Sequence, residues 1–195
     1  MADQIYNVDC GFFNAVDGDR TYNAEQMSRP YRGIVSDGVF PNIGGTYNNL
    51  LVTASGSTMS ITVNSGDGIV GEKWLNNPAP INITVPSNTS EYTRIDSVIV
   101  QVNKTVTARE GNIVYREGTV TGAPHPPALV NNAYVTEYRV ANISVAPNVT
   151  AITSEDVSDL RGTTDCPWVT SKVRESTTEI TIPLGAISKS TLDST

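Results

Sequence analysis

The chain has 195 residues, 38% of them hydrophobic and 17% charged; it is long enough to bury a core, and its composition excludes a disordered or membrane-embedded protein. Its net charge of -7 and pI near 4.6 exclude nucleic acid as a partner, because phosphate binding needs a basic cluster that releases counterions, and none is visible. No apolar run approaches the roughly 20 residues that span a bilayer, and Met1-Ala-Asp-Gln4 lacks the basic start and apolar stretch of a secretory signal, so synthesis in a cytoplasm without membrane insertion is expected.

Residues 1–20 read as a docking arm, with Ile5, Tyr6, Val8, Phe12 and Phe13 supplying apolar surface and Asp17-Gly-Asp19-Arg20 a turn. Asn23, followed three residues later by Gln26, has the form of a helix N-cap and its partner. A helix from about Tyr22 to Val35 would place Met27, Tyr31 and Ile34 or Val35 on one side, with Pro30 either kinking it or starting a second turn. Asp37-Gly38 ends it with a turn.

The pattern then changes to period two. Leu50, Val52 and Ala54, then Met59, Ile61 and Val63, then Ile81, Ile83 and Val85 alternate with neighbours of the opposite face, which marks strands buried on one side. Gly56-Ser57 joins the first two as a hairpin, and Ser65-Gly-Asp-Gly68 reads as a second tight turn. Ile95–Val102 is denser in apolar residues and predicts a central strand. Ala123-Pro-His-Pro-Pro127 predicts a rigid connection, since proline cannot donate to a ladder. Tyr134–Val145 is a further strand, and Ser154-Glu-Asp156 a single turn before Leu160.

Short strands with turn residues between them and one early helix predict a mainly β fold, an antiparallel β-sandwich with one short N-terminal helix. The expected organisation is an arm over 1–20, a sandwich domain over 21–165 and a C-terminal extension over 166–195.

A search for chemistry finds no complete catalytic motif; Glu72, Glu91, Asp96, Glu110 and Glu117 leave a pair of facing carboxylates open and are read as solvated strand faces and turn ends. The single histidine, His125, sits between prolines, and Cys10 and Cys166 are far apart, so neither a metal site nor a nucleophile with its base assembles. Asp17 and Asp19 lack the remaining ligands of a calcium loop. The two cysteines are expected as buried free thiols. Five Asn-x-Ser/Thr triplets, at Asn82, Asn88, Asn103, Asn142 and Asn148, follow from an Asn/Thr-rich composition. The sequence therefore predicts a non-enzymatic protein without cofactor or metal.

Two charge pairs share strand faces, Arg94 with Asp96 and Asp159 with Arg161, and are expected to be structural. Trp74 is expected in the core or at a subunit contact, with saccharide stacking as the alternative. Trp168 is expected to anchor the tail.

In order and spacing, Tyr31–Pro41, Leu50–Ala54, Gly66–Trp74, Arg94–Val102 and Asp159-Leu-Arg161 with Cys166 just after it resemble the N-terminal module of baseplate and receptor-binding proteins from tailed phages of Gram-positive bacteria. The resemblance covers roughly residues 12–173. It implies a shoulder-type β-sandwich that forms a three-fold homotrimer and fixes the protein to other tail proteins of the baseplate. In that family, recognition of host cell-surface saccharide typically lies in a separate domain C-terminal to it. The residues after Cys166 are too few for such a domain. The expectation is therefore an assembly or adaptor subunit at the virion tail tip, or the N-terminal piece of a longer protein, with a carbohydrate-binding module as the alternative. The residues expected to serve structure or interfaces are Phe12, Phe13, Tyr31, Trp74, Arg94, Asp96, Asp159, Arg161 and Trp168.

Overall fold

The computed structural model describes residue 17 and residues 21–41 and 48–172. Phe12, Phe13, Cys10 and Asp19, and with them most of the expected arm, lie outside the described residues. So does the C-terminal extension beyond 172.

The described chain runs α1 (Ala24–Ile34), β1 (Gly38–Val39), β2 (Val52–Ala54), β3 (Ser60–Val63), β4 (Gly66–Val70), β5 (Lys73–Asn77), β6 (Ile81–Thr84), β7 (Arg94–Asn103), β8 (Glu110–Arg116), β9 (Val135–Val145), a 3-10 turn (Ser154–Asp156) and β10 (Val157–Asp159). The strands form three antiparallel sheets in the orders β1-β4-β5, β10-β9-β7-β8 and β2-β3-β6. The fold is mainly β and sandwich-like, with α1 the one α-helix of the described residues.

All three sheets contribute to one core. Val39, Val70 and Leu75 come from the first, Val98, Val100, Val102, Val140 and Ile143 from the second, and Val52, Ile61 and Val63 from the third. Each such side chain, once buried, is worth about 1.5–3 kcal/mol relative to exposure. As predicted, β7 is central, flanked by β9 and β8. A register shift between Val98 and Ile99 marks a bulge against β9. The Gly56-Ser57 hairpin forms between β2 and β3.

Helix α1 starts where its N-cap predicts. Asn23 Oδ1 accepts from the Gln26 amide at 2.9 Å, and Gln26 Oε1 accepts from the Asn23 amide at 3.1 Å, a complete capping box. One helix covers both sides of Pro30.

Two expectations are corrected. Gly66-Asp-Gly68 is not a turn but the start of β4, paired with β5 through Gly66↔Asn77 and Gly68↔Leu75. Its glycines serve close backbone approach, because a Cβ on Gly66 would lie 2.6 Å from the Leu50 amide nitrogen and one on Gly68 2.7 Å from the Gly38 carbonyl oxygen. The third alternating run also buries less than its pattern implies. Val85 is buried, but Ile81 is 37% exposed, since β6 lies at the edge of its sheet.

The chain from Cys166 to Lys172 returns to the domain. Val39 bridges Trp168, Arg161 bridges Cys166 and Val35 bridges Ser171, and Cys166 is fully buried.

Candidate functional site

The charge pairs come first, because their burial decides whether they are available for chemistry. Arg94 and Asp96 lie on one face of β7 and meet in a bidentate contact, Nε to Oδ1 at 2.7 Å and Nη2 to Oδ2 at 2.8 Å. Asp96 is fully buried. It also accepts from the Tyr115 hydroxyl at 2.5 Å and from the Gly118 amide at 2.8 Å. Arg94 Nη2 donates to the Pro86 carbonyl at 2.8 Å, and Nη1 meets Glu117 at 3.2 Å. Burial, and then the Asp96 carboxylate, push the Tyr115 hydroxyl well above its ordinary range. Every lone pair of Asp96 that chemistry would need is committed to holding the chain on either side of β7 and the end of β8.

Asp159 and Arg161 form the second pair, with Nε to Oδ1 at 2.9 Å and Nη2 to Oδ2 at 2.7 Å. Arg161 Nη1 reaches the Asn49 carbonyl at 2.6 Å, and its guanidinium lies 5.7 Å from the centroid of the Trp168 ring. Asn49 in turn spans Phe40 and Asp67. Asp159, Arg161 and Trp168 are thus brought together, and they anchor the returning chain as a structural cluster.

A third network has no counterpart in the sequence reading. On the other face of the β7–β9 sheet, the fully buried Glu137 accepts from Gln101 at 2.6 Å, from Arg116 at 2.6 and 2.9 Å, and from the Val130 amide at 2.6 Å. Arg116 also donates to the Ala128 carbonyl, and Arg139 to the Pro127 carbonyl. These bonds clamp the proline-rich connector over the sheet. Burial alone would raise the Glu137 carboxyl, but Arg116, the Val130 amide and Gln101 outweigh it and hold the group below its ordinary value. His125 lies in the same connector, exposed, with its ring nitrogen 3.2 Å from the Pro126 carbonyl. Among the described residues no cluster of three His, Cys, Asp or Glu side chains is placed to hold a metal.

What remains available is surface on one flank. Helix α1 meets the β4–β5 hairpin through polar groups. Ser28, its one buried residue, accepts from Lys73 Nζ at 3.0 Å, and Arg32 pairs with Glu72 at 2.5 Å. The hydrogen bond from Arg32 holds the Glu72 carboxyl below its usual range against the opposing effect of burial. The apolar stripe of the helix therefore faces outward, with Met27 46%, Tyr31 57% and Ile34 48% exposed.

Trp74 lies on the same flank and is 80% exposed, which overturns its placement in the core. Strand alternation explains the orientation. Leu75 and Asn77 of β5 turn inward, so Trp74 and Asn76 turn outward. The Asp37 carboxylate accepts from the amides of Gly71 and Glu72 at 2.6 and 3.3 Å and holds the tight turn that presents Trp74. A depression of about 640 Å³ opens beside the indole, bordered by Ala24, Glu25, Lys73, Asn103, Lys104 and Arg109 among others.

Comparison with protein-family models, with curated proteins and with solved structures returned no match for this chain.

Proposed function

We propose that this protein is a structural component of a phage tail baseplate, a non-enzymatic, trimeric assembly or adaptor module that attaches to neighbouring tail proteins and supports host adsorption. The observation that carries the reading is the outward apolar stripe of α1. A helix seated through Ser28, Arg32 and Lys73 that leaves Met27, Tyr31 and Ile34 in water has the pattern of anchors that a helix lays into a partner's groove. The buried charges support the same reading, because their hydrogen bonds are spent on holding loops. Open edge strands at β6 and β8 are also the feature that cyclic packing of identical chains protects. The resemblance across Tyr31–Pro41, Gly66–Trp74 and Asp159–Arg161 supplies the context of a tail.

Immunogold labelling of purified virions with antibody against the folded chain tests this. Decoration confined to the tail tip is the expected result, and virions that carry no label at any concentration of antibody would exclude the reading.

A further inference from the structure

We propose that the depression beside Trp74 binds an anionic saccharide. This site is independent of the assembly reading, which rests on the stripe of α1.

Three observations meet here. The first is the indole itself. At 80% exposure it presents a flat, electron-rich face to water and has no packing task in the core, and such a face stacks on the C–H side of a sugar ring. The second is what borders it. Leu75 and Val102, the apolar side chains of the floor, are already buried to 6% and 5% exposure. Exposed Ala24 and the indole are the apolar groups of the wall, and between them the charged and amide groups of Lys73, Asn103, Lys104, Arg109 and Glu110 offer donors and acceptors for hydroxyls.

The third observation is charge. Three of the chain's 13 Lys and Arg residues gather at this depression on a molecule whose net charge is -7. Lys73 is held by Ser28, and of the bordering carboxylates Glu25 is committed to Arg32 at 2.9 Å. Lys104 lies near enough to Glu72 to help hold its carboxyl down, and Glu110 borders the same depression, but among the described residues the side chains of Lys104 and Arg109 make no hydrogen bond or ion pair. They stand ready for an acidic substituent, a uronate, sulfate or phosphate, on a ring stacked against Trp74. An extended polyanion is disfavoured, because the rest of the surface repels it.

The test is a glycan array that carries uronate-, sulfate- and phosphate-bearing glycans beside neutral ones, probed with the full chain, with Trp74→Ala and with Lys104→Ala/Arg109→Ala. Saturable retention on anionic glycans is expected, weakened about tenfold or more by Trp74→Ala. Lys104→Ala/Arg109→Ala should lower it as well and flatten its dependence on salt. Trp74 is exposed, so its variant should keep the parent's melting temperature and its mass in solution, which separates this site from assembly. No retention on any anionic glycan would overturn the proposal. So would retention undiminished by Trp74→Ala, or equal affinity for immobilised polyglutamate, which would mean attraction of charge alone.

Discussion

Lys73 Nζ donates to Ser28 Oγ at 3.0 Å, so the one buried side chain of α1 is a serine met by a lysine of β5. A helix of globular proteins ordinarily turns its apolar stripe to the core. Here the polar side is the docked one, and Met27, Tyr31 and Ile34 point away. The relationship turns a secondary-structure element into a presented surface.

The stripe can be removed without disturbing the fold. Met27→Asp combined with Tyr31→Asp should abolish self-association or tail-protein binding, while thermal stability stays within about 0.5 kcal/mol of the parent, the usual range for exposed positions. Analytical ultracentrifugation and thermal melts on the same samples would check both halves. A variant that unfolds, or one that assembles normally, would speak against an interface on α1.

The Arg94–Asp96 pair predicts a large contrast. Asp96→Ala leaves a buried guanidinium, the Tyr115 hydroxyl and the Gly118 amide without their acceptor, and should cost about 3–5 kcal/mol. Glu117→Ala removes only the half-exposed partner of Arg94 and should cost about 1 kcal/mol or less. Urea unfolding of the two variants measures the difference.

Acid should loosen the connector. Glu137 is held below its ordinary value of 4.5 in the folded protein, so the unfolded chain takes up its proton first as pH falls. The stabilisation is full above about 4.5 and is lost as pH drops through the folded value. Glu137→Gln should therefore be less stable at neutral pH and show a flatter decline below about pH 4.5. Denaturant titrations across pH 3 to 7, roughly the span of carboxylate ionisation, give the slopes. Identical slopes in parent and variant would contradict the assignment.

Burial pushes the Cys166 thiol up to about 12, which leaves little thiolate at physiological pH. In a Cys10→Ser background, iodoacetamide should leave Cys166 unmodified in the folded protein and alkylate it on addition of denaturant. Mass spectrometry reads the outcome, and rapid labelling of the native state would show that the core around Cys166 opens.

The early helix was legible because its signal is local. Asn23 and Gln26 stand three apart, and the bonds between them close within one turn. The central strand was legible from apolar density at Ile95–Val102, and the face shared by Arg94 and Asp96 follows from their spacing. The Glu137 clamp was not legible, because its partners Gln101 and Arg116 lie 36 and 21 residues away and only the pairing of β7, β8 and β9 brings them together. Strand β8 escaped for a related reason. Ile113-Val-Tyr115 has no alternation of its own and gains order from β7. Gly66 and Gly68 misled because a glycine needed for close approach of two backbones looks the same in sequence as one needed for a turn. Trp74 misled because the inward Asn77 of β5 hides the alternation that places the indole outside.

The mass of the full chain in solution, by light scattering across a range of concentrations, tests assembly most directly. A particle of three times the 20.9 kDa chain is the predicted result. A species that stays at 20.9 kDa at the highest concentration would contradict it.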